Sequence, residues 1–296
     1  MYHLRGNMMK TALVLEGGGM RGLYTCGVLD FFMDMNIHFD AVIGVSAGAC
    51  HACSYVSNQR GRALRTATQW IQDSRYMSLK SLVQTGDLFN AQFVYYDIPN
   101  RYDPYDYQAF NQSHTKLYAT CTDCYTGKPL YFPIAHMQED IEFIRASASL
   151  PLVANMVNYH GYTMLDGGIA DSIPFEHMME KGYDKIVVVL TRCKGYQKEA
   201  NALMPLIRKR YKEYPELIKA CENRHIHYNQ QLQTLDTLEK NNQVFCIYPS
   251  EIHVGRLEKD PKKLKELYHT GYTDIQKQKD ALLAYLDIQE ELYENA

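Results

Sequence analysis

One serine in this chain lies between two glycines in a pattern that suits nucleophilic chemistry. Residues 44–48 read Gly-Val-Ser-Ala-Gly, after an apolar run at 41–43 and before a stretch of helical character. A G-x-S-x-G sequence places its serine on a tight strand-to-helix turn, with the hydroxyl exposed beside the positive helix N-terminus. The pattern therefore predicts Ser46 as a nucleophile, and Gly44 and Gly48 as the small residues that keep the turn accessible.

Four glycines lie directly after the first apolar run of the chain, at 11–15. They are Gly17, Gly18, Gly19 and Gly22. Consecutive glycines let backbone N–H groups point into one concavity, which can hold a phosphate or a developing oxyanion. The spacing also satisfies G-x-G-x-x-G, so a nucleotide-binding oxidoreductase is the alternative interpretation. That alternative requires an acidic residue at the end of the second strand, where this chain has Ser46, so an oxyanion-binding loop is favoured.

An aspartate followed by two glycines forms the third motif, at Asp166, Gly167 and Gly168. It comes after a strand-like run over 163–165, and the glycines allow the carboxylate to approach another loop closely. The carboxyl ends of parallel strands meet at one edge of a sheet, where active sites gather. We therefore expect Asp166 to lie near Ser46, despite the long stretch of chain between them.

The three motifs, in this order, resemble those of the patatin-like phospholipase family of lipid acyl hydrolases. That family has a glycine-rich oxyanion loop with Arg or Lys near its end, a G-x-S-x-G elbow and a D-G-[AG] motif. Residues 146–151 and 171–174 are also similar, and the resemblance extends over about residues 10 to 195. One departure is Glu16, where the family commonly has Asp. That side chain is not expected to do chemistry, so the resemblance holds despite this departure.

The resemblance implies a catalytic dyad that performs acyl transfer. Ser46 would attack an ester carbonyl, and Asp166 would be the base that takes its proton. An ordinary aspartate is a poor base toward a hydroxyl, so partial burial and strong stabilisation of the oxyanion would have to assist it. The N–H groups that would form the oxyanion hole are those of Gly17, Gly18 and Gly19.

The expected partners follow from the same resemblance. The substrate would be a lipid or another ester, and peripheral contact with a membrane is a further interaction that the resemblance allows. No metal or organic cofactor is required. Arg21, near the end of the glycine loop, would either orient that loop or meet an anionic head group. A catalytically silent scaffold with the same fold is the third interpretation, although such a protein has no chemical need for Ser46 and Asp166 together.

A histidine could extend the dyad to a triad. Five histidines follow Asp166, in the order that a Ser–Asp–His triad would need. They are His177, His225, His227, His253 and His269. None has a local signature, and each is more simply explained as a surface or packing residue, so we retain the dyad.

Composition narrows the functional classes to which the protein can belong. The 296 residues are 46% hydrophobic, enough for a sizeable core, and the net charge of −3 lacks the basic excess typical of nucleic-acid binding. Eight scattered cysteines indicate reduced thiols. Two C-x-x-C pairs, Cys50/Cys53 and Cys121/Cys124, allow a zinc site but are better explained by packing. No signal peptide or membrane-spanning stretch is evident, so a cytoplasmic protein is expected.

Apolar strand-like runs alternate with helical periods over the first 195 residues. This order predicts an α/β fold with a mainly parallel central sheet and helices on both faces, a three-layer sandwich related to the α/β-hydrolases. We expect a catalytic domain at 8–195 and a helix-rich C-terminal extension at 196–296, with one strand near 244–248, packed on the same core. Further helices are expected over 62–82, 202–240 and 264–291.

An acyl chain would need an apolar groove. The segment 84–111 is aromatic, polar and interrupted by proline, which predicts a long loop or a lid-like excursion. Within it, the stretch 89–107 is a candidate wall of the groove, and 150–162 is the other. Core packing also accounts for many of these side chains.

Overall fold

The computed structural model describes residues 9–288 and contains one sheet of eight strands. The first two strands are buried along their whole length, as central parallel strands covered on both faces must be. The strands are β1 (Thr11–Leu15), β2 (Ala41–Val45), β3 (Lys116–Asp123), β4 (Pro129–Ile134), β5 (Val157–Tyr159), β6 (Tyr162–Asp166), β7 (Lys185–Val189) and β8 (Val244–Ile247).

The centre of the sheet is parallel and one side of it is antiparallel. The strand order is β5-β6-β3-β2-β1-β7-β8, with β4 paired to β3 beside that path. Strands β8, β7, β1, β2 and β3 run in one direction. Strands β4 and β6 run antiparallel to β3, and β5 runs antiparallel to β6. The expected α/β architecture is confirmed, and the sheet is mixed.

Strand β6 enters the sheet in a direction that the sequence did not indicate. The motif pattern predicts Asp166 at the end of a parallel strand, but β6 is antiparallel to β3. A hairpin turn at His160 and Gly161, both at positive φ, joins β5 to β6 and directs β6 back along the sheet. The expectation that Asp166 ends a parallel strand was therefore wrong. Asp166 nevertheless lies near the end of β2, because antiparallel β6 ends on β3 beside the residue that pairs with Val45.

Helices cover both faces of the sheet. They are α1 (Leu23–Asp34), α2 (Ala47–Val56), α3 (Arg62–Gln69), α4 (Leu79–Thr85), α5 (Tyr107–Gln112), α6 (Met137–Ser147), α7 (Phe175–Glu180), α8 (Met204–Arg210), α9 (Pro215–Lys240), α10 (Pro261–Lys277) and α11 (Lys279–Tyr285). Alternate strand residues face opposite layers: Leu13 and Leu15 join the core with α1 and α2, whereas Ala12 and Val14 join it with α7 and α9. In the described range, none of these helices combines the length and hydropathy of a bilayer-spanning segment.

Two N-terminal segments differ from their expected structure. The helix expected over 62–82 is divided into α3 and α4. The segment expected as a loop over 84–111 contains a π-helical stretch, Gln92–Tyr102, followed by α5. Pro99 lies inside that stretch. Because proline normally ends a helix, its presence concealed the helical character of the segment.

Two C-terminal segments are also interrupted. The helix expected over 202–240 is divided into α8 and α9, and Pro215 is the first residue of α9. Proline is well suited to that first position, because its missing N–H would have no acceptor there. The helix expected over 264–291 is α10 followed by α11. Residues 289–291, and residue 8 at the start of the first expected domain, lie outside the described residues.

The C-terminal half of the chain shares its sheet and core with the N-terminal half. Strand β8 pairs with β7, and α10 packs along α1. Two glycines make this helix contact unusually close. A Cβ at Gly27 would lie 2.0 Å from the Tyr268 carbonyl oxygen, and one at Gly271 would lie 2.1 Å from the Tyr24 carbonyl oxygen. The two backbones are therefore nearer than any side chain would allow.

The replacement Gly271→Ala should destabilise the protein by about 1–3 kcal/mol, the usual effect of overpacking. Its methyl group would overlap the Tyr24 carbonyl oxygen and push α10 away from α1. Urea unfolding followed by circular dichroism measures the change. Gly255→Ala is the matched control, since nothing lies within 4 Å of a Cβ at that position. Equal unfolding midpoints for the two variants would contradict the close helix contact.

Candidate active site

Ser46 lies on the turn between β2 and α2 in a backbone conformation that residues other than glycine rarely adopt. Its φ is 55° and its ψ is −123°. A Cβ at Gly44 would lie 2.5 Å from the backbone of α2, and one at Gly48 would lie 2.5 Å from a carbonyl oxygen of β1. Both positions therefore require glycine. The packed surroundings hold Ser46 in a strained geometry, which is common where a side chain must face a ligand.

Strand β3 brings Ser46 and Asp166 together. Val45 is paired with Thr120, and Asp166 is paired with Cys121, the next residue of β3. Strands β2 and β6 thus occupy the same edge of β3 and approach each other from opposite ends. The residue that follows β2 and the residue that ends β6 meet there, and both side chains line one pocket.

The Asp166 carboxyl is buried and only half of it is hydrogen-bonded. The residue is 1% exposed, and Oδ1 accepts a hydrogen bond from the Gly168 N–H at 2.8 Å. Burial raises the pKa of Asp166 above its ordinary value of 3.8, while the charge of Arg224 and the nearby Ser46 hydroxyl act in the opposite direction. Oδ2 has no hydrogen-bond partner of ordinary geometry among the described residues. The site therefore holds a carboxyl of increased basicity with one oxygen free.

The backbone of the glycine loop offers donors to this pocket. Gly17, Gly18 and Gly19 all line it, and their N–H groups donate no hydrogen bond within residues 9–288. The next residue differs, because the Met20 N–H donates to the Arg256 carbonyl oxygen at 3.0 Å. The N–H groups of the first turn of α2 also lack acceptors within the helix. Free donors on two sides of the Ser46 hydroxyl are suited to a developing oxyanion.

Glu16 anchors the glycine loop. Its buried carboxylate accepts hydrogen bonds from the Thr191 N–H at 2.7 Å and from the Tyr228 hydroxyl at 2.8 Å. The Thr191 hydroxyl in turn donates to the Gly17 carbonyl oxygen at 2.8 Å. The loop, the end of β7 and helix α9 are thereby joined in one buried network. Sequence analysis assigned no chemical role to Glu16, and the structure shows that it positions the glycine loop, a role for which the sequence has no local motif.

Arg21 is buried at the edge of the pocket. Its Nε donates a hydrogen bond to the Thr191 carbonyl oxygen at 3.3 Å. Burial, followed by the charges of Arg192 and Arg256, lowers the pKa of Arg21 to about 10. Of the two roles expected for this residue, orientation of the glycine loop is the one that a hydrogen bond supports.

The other motif glycines support the pocket from behind. A Cβ at Gly22 would lie 2.8 Å from the His51 ring, and one at Gly167 would lie 2.1 Å from the Thr120 carbonyl oxygen. Gly168 differs, because it lines the pocket itself. These contacts explain why the first and third motifs need small residues beside the groups that face the pocket.

Three cationic side chains from the C-terminal half also line the pocket. They are Lys198, Arg224 and Arg256. Arg224 lies on α9, and the other two lie in the segments that precede α8 and α10. Sequence analysis missed all three, because each stands alone in a polar stretch without a motif. Only the folded chain brings them to the glycine loop.

The pocket over Ser46 is narrow and adjoins a wider groove. The pocket encloses about 30 Å³ and the groove about 620 Å³, and both are lined by Leu150. The candidate wall at 150–162 contributes residues 150–153 to the groove. The other candidate wall, 89–107, lines neither the pocket nor the groove. Its residues line a separate cavity beside α2 of about 120 Å³, and three of them line a small cavity shared with Leu150 and Val153.

No histidine of the described residues lines the pocket over Ser46. His225 lines the neighbouring groove, with Nδ1 at 2.9 Å from a carbonyl oxygen of its own helix. His177 stacks on Tyr131, with the ring centres 3.7 Å apart. The remaining candidates are exposed: His227, His253 and His269.

The two cysteine pairs contain free thiols. Cys53, Cys121 and Cys124 are buried, and Cys50 is half-buried against the Tyr95 hydroxyl. Between residues 9 and 288, no group of three or more cysteine, histidine and acidic side chains is placed to hold a metal ion.

The mixed sheet, the serine elbow and the glycine loop together define a patatin-like α/β fold. Residues 13–179, more than half of the chain, match the Patatin-like phospholipase family, and the chain belongs to that family. Membership supports a lipid acyl hydrolase activity in general terms. Residues 214–287 match a domain of unknown function (DUF6363).

Similar proteins include bacterial and fungal ones. The uncharacterized protein YjjU of Escherichia coli is 31% identical over 62% of this chain and 52% of its own length. Lysophospholipase NTE1 of Cryptococcus neoformans is 27% identical over 60% of this chain and 11% of its own length. The chain thus spans about half of the first relative and about a tenth of the second. The crystal structure of VipD from Legionella pneumophila aligns with a TM-score of 0.47 and 12% identity, over 93% of this chain and 67% of that chain.

The replacement Tyr228→Phe should lower the free energy of unfolding by about 1–3 kcal/mol, because it leaves a buried oxygen of Glu16 without its donor. Thermal unfolding measured by calorimetry reports the loss. Tyr162→Phe is the matched control, since that tyrosine is 40% exposed at the sheet edge. An unchanged transition temperature for Tyr228→Phe would show that Glu16 does not depend on this hydrogen bond.

Proposed function

We propose that the protein is a serine-dependent lipid acyl hydrolase that cleaves carboxylic esters through a Ser46–Asp166 dyad. The observation that carries the proposal is the buried Asp166 carboxyl, whose Oδ2 has no hydrogen-bond partner of ordinary geometry in the described structure and which faces the Ser46 hydroxyl in one pocket. A buried acceptor without a donor is unfavourable, so a protein keeps one where chemistry uses it. The Ser46 proton is the donor that the reaction would supply.

The reaction would proceed in two halves. First, Asp166 accepts the Ser46 proton while Oγ attacks the ester carbonyl carbon, the proton passes to the leaving alcohol, and an acyl-enzyme remains. Second, Asp166 takes a proton from water while the water oxygen attacks the acyl carbon, and the proton returns to Ser46 Oγ as the fatty acid leaves. Asp166 is deprotonated after each half, so the cycle balances without a cofactor.

The carbonyl oxygen becomes negative in both halves and would be stabilised by backbone donors. The N–H groups of Gly17, Gly18 and Gly19 have no protein acceptor in the described range, which leaves them free for this oxygen. The N-terminus of α2 adds its partial positive charge. Each such donor is typically worth about 10²–10³ in kcat. These contributions compensate for the modest basicity of a carboxylate.

The groove beside the pocket would hold the rest of the substrate. Residues 150–153 form an apolar wall, and Leu203 and Leu257, at its mouth, are 52% and 51% exposed. Exposed apolar side chains around a groove are typical of a surface that binds other apolar molecules. They support a lipid ester as the substrate, in agreement with the family.

We further propose that residues 8–195 form the catalytic domain and that 196–296 complete it. Support comes from β8, which extends the sheet, and from three cations of the second part that line the pocket. The second part therefore contributes to the site as well as to the core.

Ser46→Ala and Asp166→Asn should each lower kcat/KM for p-nitrophenyl butyrate by roughly 10³-fold or more, because each removes one member of a unit that acts together. A fluorophosphonate probe should label Ser46 in the unmodified protein, with the adduct located by mass spectrometry. Ser54→Ala, on the same helix but lining a separate cavity, is the matched control and should keep both activities. A folded protein that neither turns over esters nor takes the probe would leave the silent scaffold as the better interpretation.

The acidic limb of the kcat/KM profile should lie above pH 3.8, because burial raises the pKa of Asp166 and the dyad works only when that group is charged. Rates should therefore rise with pH through the raised pKa. Arg224→Gln should move the limb to higher pH, since the charge of Arg224 lowers the pKa of Asp166. A limb that stays in place in Arg224→Gln would show that this charge does not act on Asp166.

A further inference from the structure

Three cations stand where the catalytic pocket meets the groove. Lys198, Arg224 and Arg256 line both of them, and no other charged side chain of the described residues does so. A Cβ at Gly168 would lie 3.0 Å from Arg224 Nη2 and 3.0 Å from Asp166 Oδ1. The Arg224 guanidinium is therefore next to the reacting groups, and the cluster leads from there into the groove.

These cations are not neutralised by the surrounding residues. Among residues 9–288, none of the three forms an ion pair within 4.0 Å. Arg224 Nε is buried without a hydrogen-bond partner in that range. The two acidic groups of the pocket do not balance them: Glu16 accepts hydrogen bonds from two neighbours, and the single charge of Asp166 attracts Arg224 and Arg256 but is one charge beside three cations. The site thus has an excess of positive charge and unused donors.

Burial and the repulsion among the three cations affect the protonation of Lys198. Burial, followed by the charge of Arg224 and then of Arg256 and Arg21, lowers the pKa of Lys198 to about 7, although Glu16 acts the other way. Its ammonium lies 4.0 Å from the centre of the Tyr228 ring, which partly stabilises the charge. Cations that repel one another at a pocket mouth are stabilised when an anion binds between them.

We propose that Lys198, Arg224 and Arg256 form a subsite for the phosphate group of a lipid ester. This inference rests on the proposed hydrolase function and identifies the residues that would make the site prefer esters that carry a phosphate, such as lysophospholipids, over neutral acylglycerols. Guanidinium groups present paired N–H donors that match phosphate oxygens, and lysine adds a point charge. In a lysophospholipid only the glycerol backbone separates the phosphate from the scissile carbonyl, which matches a subsite beside Ser46.

The test compares two substrates with the same acyl chain and the same scissile bond. These are 1-lauroyl-lysophosphatidylglycerol and 1-monolauroylglycerol, assayed in the same detergent at a pH above the acidic limb. The unmodified protein should prefer the phosphate ester. Arg224→Gln and Arg256→Gln should each lower the ratio of the two kcat/KM values by about tenfold or more, since each loses a charge-assisted hydrogen bond. Arg101→Gln, at an exposed arginine outside the pocket and groove, is the matched control and should leave the ratio unchanged.

A second measurement separates the lipid phosphate from free phosphate. Inorganic phosphate is added as a competitor of monolauroylglycerol hydrolysis. Suppose that phosphate inhibits the unmodified protein but neither arginine variant, and that the unmodified protein does not prefer the phosphate ester. The cluster would then bind free phosphate, and the proposal would be overturned. A ratio that is the same in the unmodified protein and in both variants would overturn it as well.

A binding measurement keeps the subsite separate from the reaction. Titration calorimetry of Ser46→Ala with hexyl phosphate should show binding that weakens about tenfold or more when Arg224→Gln is added. Absence of all ester hydrolysis, with this binding intact, would refute the hydrolase and keep the anion site. Hydrolysis of both lipids at equal rates, without hexyl phosphate binding, would refute the subsite and keep the hydrolase.

Discussion

The placement of Ser46 beside Asp166 depends on one edge of strand β3. Strand β3 pairs with β2 over its first half and with β6 over the remainder, on the same side. Two chain segments that approach from opposite directions are thereby fixed end to end through backbone hydrogen bonds. Ser46 and Asp166 stand at that junction, so their separation is set by the pairing register and hardly at all by the conformation of a loop. A shift of one residue in either register would turn a side chain to the opposite face of the sheet.

The elbow, the central strands and the family could be predicted from the sequence, because the residues that define each of them are close together along the chain. Gly44 and Gly48 are required by contacts within the elbow and by the neighbouring strand, and such contacts produce a short, recognisable motif. Buried parallel strands likewise show as apolar runs bounded by glycine loops. Local patterns of this kind were enough to predict the family, the fold class and the motif that contains Ser46.

The errors arose where structure is set by distant contacts. The direction of β6 follows from its partners in the sheet, which the residues of β6 do not specify. The π-helical stretch contains Pro99, a residue that argues against any helix. Lys198, Arg224 and Arg256 carry no pattern at all, because what joins them is a pocket assembled from both halves of the chain. The glycine loop combines a local and a distant signal. Its glycines form a clear sequence motif, whereas the hydrogen bonds of Glu16 to Thr191 and Tyr228, which hold the loop in place, have no motif.

The pairing of β8 with β7 has a consequence for how the chain can be divided. Strand β7 is Lys-Ile-Val-Val-Val, and β8 covers four of its residues on the side away from β1. A fragment that stopped at the family boundary near residue 179 would lack β7 itself. A fragment that stopped near residue 195 would leave β7 as an unpaired aliphatic edge strand, and such an edge can pair with a second copy, so we expect that fragment to aggregate.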